Sequence, residues 1–153
     1  MCIRDRPRMG IEVTMADVRD PESYQNAVQE NTKVLYVETM TNPTLKVCDL
    51  GAMAEVAKKN GLVSVVDNTF ASPWSCRPIE MGFDIVLHSG TKYLGGHADL
   101  TAGFATGRND LIEQIFHHKI VSDLYYFFLL LFVFFDHVHL FRSRIKHYNL
   151  PIF

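Results

Sequence analysis

Apolar positions in this chain fall into short runs separated by stretches with helical spacing. Ile11 to Met15 is a weak strand pattern. Asp20 followed by Pro21 offers an N-cap and a first-turn proline, predicting a helix through about Gln29. Lys33 to Glu38 (KVLYVE) is rich in β-branched and aromatic residues and predicts a strand, with a loop at Asn42-Pro43 after it. Asp49 is placed to cap the next helix, in which Leu50, Met53, Ala54 and Ala57 form one apolar stripe at i, i+3, i+4 and i+7. Gly61 suits the C′ position that ends it. Leu62 to Val66 (LVSVV) and Asp84 to Leu87 (DIVL) predict two further strands, Thr101 to Thr106 another, and Asn109 starts a helix. Nearly all-apolar strands alternating with helices imply an α/β fold with a mostly parallel sheet covered on both faces.

The pattern changes abruptly near residue 116. All nine glycines and every alanine lie at or before Gly107, whereas eight of the eleven phenylalanines and five of the seven histidines lie from Phe116 onward. Leu124 to Phe135 is an unbroken run of twelve apolar residues. That is short of the roughly 20 needed to span a bilayer, and it lacks the helical periodicity and turn residues of a core element. Residues 117–153 therefore read as an anomalous hydrophobic tail, such as translated intron or a shifted frame, with a genuine hydrophobic anchor as the alternative. Residues 1–9, opening MCIRDRPR, have no apolar core of a secretory signal and read as an unstructured leader or artefact. Residues 10–116 are the expected folded unit, one incomplete large domain.

The remaining composition narrows the classes of function. A net charge of −2 gives no basic field for nucleic acid, and no segment qualifies as a membrane span. Cys2, Cys48 and Cys76 are few and widely spaced, which favours a reducing, cytoplasmic setting over a disulfide framework. Cys48 and Cys76 read as small core fillers.

Ligands of open parallel sheets bind beyond the carboxyl ends of the strands. The residues following the predicted strands are Glu38 to Asn42, then Asp67-Asn68-Thr69, then His88-Ser89-Gly90-Thr91-Lys92 and Gly95-Gly96-His97. Three strand ends thus bring an amide, a carboxylate, hydroxyls and an amine together. A partly desolvated lysine is a nucleophile toward aldehydes, a carboxylate at a buried strand end needs a positive partner, and hydroxyls hold phosphate. Amine, carboxylate and phosphate cradle describe pyridoxal 5′-phosphate (PLP), whose protonated pyridine would be that partner. His88, His97 and Asp99 lack the spacing of a helical zinc site, so no metal is expected. A P-loop would place its glycines before the lysine, and here they follow it.

The stretch Asp84-Ile-Val-Leu-His-Ser89-Gly-Thr91-Lys92-Tyr-Leu-Gly-Gly96-His97-Ala-Asp99 resembles the lysine signature of the Cys/Met-metabolism (transsulfuration) family of PLP-dependent enzymes. Glu38-Thr-Met-Thr-Asn42-Pro43-Thr and Val66-Asp67-Asn68-Thr69-Phe70-Ala-Ser-Pro73 are similar to two further motifs of that family, in its order and spacing. Met40 and Ala98 depart mildly from the pattern. The resemblance covers residues 10–107 and implies the large domain of the aspartate-aminotransferase type, in a homodimer-based homotetramer. It implies Lys92 as the catalytic lysine that forms the Schiff base, Asp67 on the pyridine nitrogen, Ser89 and Thr91 on the phosphate, and Asn42 on the ring hydroxyl. The implied chemistry is elimination or replacement at the β or γ carbon of cystathionine, homocysteine, methionine or a homoserine ester. The family's glycine-led phosphate loop, ring-stacking tyrosine and substrate-clamping arginine are expected in segments this chain lacks. The alternative is a truncated, non-catalytic product or a mis-predicted gene.

Overall fold

The computed structural model describes residues 10–97, 99–123 and 130–132, with side chains through residue 117. Helix α1 (Pro21–Ala27) starts where its cap predicts, the Asp20 carboxylate accepting from Glu22 N at 3.0 Å. It ends before Gln29 because Gln29 N turns to the Thr32 hydroxyl, at 2.9 Å. Strand β1 (Val34–Glu38) leads to α2 (Leu50–Lys59), capped by Asp49 through Ala52 N at 3.0 Å, and α2 to β2 (Val63–Asp67). A four-residue helix α3 (Ser72–Ser75) and a short turn at Pro78–Met81 connect to β3 (Ile85–Ser89). Gly61, in the left-handed region at φ 63°, turns the chain from α2 into β2.

Strands β1, β2 and β3 are neighbours and parallel, in a register that pairs Glu38 with Asp67 and Asp67 with Leu87. Strand β4 (Ala102–Gly107) returns antiparallel to β3, with Gly103 opposite Ser89. Helix α4 (Asn109–Asp123) follows, and a three-residue strand β5 (Leu130–Phe132) lies parallel to β4. The mixed, mostly parallel sheet with helices is the α/β class that the alternation predicts. Ile11 to Met15 is not a strand: it has no ladder partner among the described residues, and Ile11, Val13 and Met15 are exposed.

The predicted stripe of α2 is the centre of the core. Leu50, Met53, Ala54 and Ala57 are all buried and pack with Leu35, Val37, Val66 and Val86 of the sheet, joined by Tyr24 and Val28 at the α1 end. Each fully buried Leu, Val or Met among them contributes about 1.5–3 kcal/mol by leaving water. The opposite face differs from the expectation of cover on both sides. It is buried at Ile85 and Ala105, where α4 packs on β4, but at β1 and β2 Val34 is exposed and Tyr36, Val63 and Val65 are half-buried. Both α1 and α2 lie on the first face, so among the described residues no helix covers the second face there. Glu38, Asp67 and Ser89 end their strands on this open side.

Candidate active site

The end of β2 is held from both faces. On the core side Asn68 has no exposed surface, its Oδ1 accepting from the Thr39 hydroxyl at 2.7 Å. Its Nδ2 donates to the carbonyls of Ser72 at 3.2 Å and Cys76 at 2.8 Å, and its backbone N to Leu87 O at 2.8 Å. Asn68 thereby ties β1, β2, β3 and α3 together, and leaves Asp67 facing the open side. Asp67 Oδ1 accepts from Thr69 N at 3.0 Å and from the Thr69 hydroxyl at 2.5 Å. Tyr36 faces this carboxylate from the neighbouring strand β1. Burial first, then the charges of Asp67 and Glu38, hold its phenol protonated well above the usual range.

Behind Asp67 stands His88, buried in β3, with Nδ1 lacking a hydrogen-bond partner among the described residues. Burial lowers its proton affinity below the ordinary 6.5, against the opposing pull of Asp67 and of a hydrogen bond with the Asn68 backbone. Cys48 is buried too, its thiol pushed up to about 11 by burial and by Asp49, so it is a core filler as expected.

After β3 the chain makes an irregular helical turn, Gly90–Leu94, in which Lys92 leaves helical geometry at φ −94° and ψ −128°. Gly90 is required there, since a Cβ would collide with Phe104 and Ala102 of β4. The turn opens onto a cleft of about 710 Å³ lined by Glu38, Met40, Asn42, Asp67, Thr69, Phe70, Ser89, Lys92, Tyr93 and Gly96. Four of the five predicted site residues, Asn42, Asp67, Ser89 and Lys92, therefore line one cavity, within the ordinary size range of small-ligand sites. Thr91 is not in the lining. Its hydroxyl bonds both backbone groups of Ala102, accepting from N at 3.1 Å and donating to O at 3.3 Å, which closes the turn onto β4.

Four lining residues, Glu38, Thr69, Phe70 and Tyr93, were given no role by the motifs alone. Glu38 accepts from Asn42 N at 3.2 Å and so holds the Asn42 loop. Thr69 stands in the run after β2, but its bonds to Asp67 and Ser89 depend on packing. Phe70 and Tyr93 lie with ring centroids 5.9 Å apart at the mouth. Among the described residues no group of three or more His, Cys, Asp or Glu is placed to hold a metal. None of the helices there is long and apolar enough to cross a membrane.

The donor set fits PLP: an amine, a carboxylate for a protonated pyridine, and hydroxyl and amide groups facing the same space. A sequence profile of the family described as Cys/Met metabolism PLP-dependent enzyme matches residues 1–123. The chain belongs to this family. It is 47% identical over 109 residues to an L-methionine gamma-lyase of Porphyromonas gingivalis, covering 71% of this chain and 27% of that protein. It is 49% identical over 109 residues to a cystathionine gamma-lyase of Bacillus subtilis, covering 71% of this chain and 29% of that one. The crystal structure of cystathionine gamma-lyase from Lactobacillus plantarum complexed with L-serine superposes with a TM-score of 0.71 at 39% identity, over 76% of this chain and 31% of that one. The chain thus spans under a third of the length of these three relatives. PLP is the cofactor of the Cys/Met-metabolism family, whose members are enzymes.

Proposed function

We propose that this chain is the cofactor-lysine part of a PLP-dependent enzyme that eliminates or replaces a group at the β or γ carbon of a sulfur amino acid. The observation that carries the reading is the convergence of Lys92, Asp67, Ser89 and Asn42 on one cleft at the ends of three adjacent parallel strands. In this reading Lys92 attaches the cofactor covalently and afterwards moves protons at the substrate carbons. Asp67 holds the proton on the pyridine nitrogen, Ser89 donates to the phosphate, and Asn42 to the ring hydroxyl. Thr91, whose hydroxyl bonds Ala102 N and O here, is assigned to the phosphate by the same motif. Bound PLP supplies an electron sink for charge left on a substrate carbon.

The remaining assignments belong to the same proposal. Residues 10–116 are the cofactor-binding part of the large domain, with 1–9 as leader and 117–153 as tail outside it. The whole enzyme is a homodimer-based homotetramer in the cytoplasm. A second reading, a non-catalytic product of the same family, holds the cofactor without turning substrate over.

Titration with PLP, borohydride reduction and peptide mapping test the site. The cofactor is expected on Lys92, and Lys92→Ala is expected to abolish labelling. Label on another lysine, or equal label in the variant, rules the assignment out. Turnover of cystathionine or methionine then separates the readings, since a labelled but inert chain supports the second.

A further inference from the structure

The backbone ladder between β2 and β3 ends at the Asp67–Leu87 pair and at the Asn68 N to Leu87 O bond of 2.8 Å. One step further the connection is made by a side chain. Ser89 N donates to the Thr69 hydroxyl at 2.8 Å, and that hydroxyl lies 2.5 Å from Asp67 Oδ1. The direction of both bonds is forced. A backbone N–H only donates, so it occupies a lone pair of the Thr69 oxygen, and the hydroxyl's single proton goes to the carboxylate, which only accepts. The second bond is charge-assisted, the stronger kind. Thr69 N adds its own donor to the same Asp67 oxygen at 3.0 Å, so two donors from one residue fix the rotation of the carboxylate.

We propose that Thr69 is a positioning residue that sets Asp67 and Ser89 at a fixed spacing, acting as a directed Ser89 N–H to Thr69 to Asp67 relay across the strand ends. The inference rests on the reading of Asp67 and Ser89 as the anchors of the two ends of PLP. A cofactor held at its ring nitrogen and its phosphate requires those anchors at one separation, and strand pairing no longer fixes it beyond Leu87. Thr69 acts through its neighbours, which separates its role from theirs. Serine keeps the hydroxyl, whereas valine keeps the shape and loses it.

The test uses the whole 153-residue chain. Amide hydrogen exchange at Ser89 is followed without cofactor, and dissociation constants are measured for PLP and for pyridoxal, which lacks the phosphate. Thr69→Val is expected to speed Ser89 exchange at least tenfold and weaken PLP at least tenfold, with a smaller loss for pyridoxal. Thr69→Ser is expected within threefold of the parent in every measurement. A merely structural loss would weaken both ligands alike and would not recover with serine, and that result overturns the proposal. Should Thr69→Val fail to fold by circular dichroism, Thr69→Ala takes its place against Thr69→Ser with the same criteria. If the parent chain takes label at Lys92 but Thr69→Val binds PLP as tightly, Thr69 alone loses its role. If the parent takes no label at Lys92, the site reading falls and the relay's purpose falls with it.

Discussion

Glu38 and Asp67 are register partners at the ends of β1 and β2, so two carboxylates enter the cleft side by side from neighbouring strands. Their surroundings give them different work. Glu38 accepts from Asn42 N, whereas Asp67 is oriented by Thr69 and backed by Tyr36. Asp67→Asn is expected to weaken PLP binding about 10- to 100-fold, the scale of one hydrogen bond to a charged group, about 1.5–3 kcal/mol. Glu38→Gln still accepts from Asn42 and is expected to change it less than about threefold by the same reckoning. A spectroscopic titration decides it, and equal losses would remove Asp67's special standing.

Asn68 makes the second prediction. Its side chain satisfies Thr39, Ser72 and Cys76 in a place without solvent. Asn68→Leu has a similar volume but takes the Asn68 donor from the Cys76 carbonyl. Thr39 keeps Asp67 O at 3.4 Å and Ser72 O keeps Cys76 N at 3.1 Å, so a loss of about 1–3 kcal/mol in urea unfolding is expected. A loss below about 1 kcal/mol would mean that water or a shifted turn replaces the clasp.

How much of this was legible follows from which interactions are local. The α2 stripe and the caps at Asp20 and Asp49 depend on spacing within one segment, and the structure has them where the spacing puts them. That Asn42, Asp67, Ser89 and Lys92 share one cleft was readable because strand ends define the crevice and a motif named them. The Thr39–Asn68 clasp and the Thr69 relay join segments 20 to 29 residues apart, and no periodicity records such pairings. Thr91 shows the limit from the other side, since the motif names the residue but only packing reveals its bonds to Ala102. Ile11 to Met15 has a strand's composition without a strand's partner.

At the opposite end of the sheet, Asp84 Oδ2 accepts from both Ser64 N and the Ser64 hydroxyl at 2.9 Å, and Oδ1 from Arg108 at 3.1 Å. Burial raises its proton affinity, but the Ser64 donors and then Arg108 outweigh it, and the net shift is below the ordinary 3.8. A carboxylate depressed in the folded state stabilises fully above its unfolded value and loses that contribution as pH falls through the folded one. Asp84→Asn is therefore expected to cost about 1–3 kcal/mol at pH 7, with the gap closing below about pH 4. Urea midpoints against pH measure it, and a gap constant down to pH 3 would contradict the assignment.

His88 gives the opposite end of the pH range its own signature. Its imidazole is buried, Nδ1 has no partner among the described residues, and burial wins over the attraction of Asp67, so the neutral ring is the folded form. The folded proton affinity lies below the ordinary 6.5, so the unfolded chain binds the extra proton first as the medium is acidified. Stability linked to His88 is thus complete above about pH 6.5 and drains away as pH falls from there toward the folded value. His88→Phe fills the same space without a titrating group. The difference in unfolding free energy between the parent and His88→Phe is expected to shift against the parent between about pH 7.5 and 5.5. Because Nδ1 is an unsatisfied buried atom worth about 1–3 kcal/mol, the variant is also expected to tolerate pH 7 without a large loss. Parallel stability curves through that window would show that His88 keeps its ordinary proton affinity, the attraction of Asp67 cancelling the effect of burial.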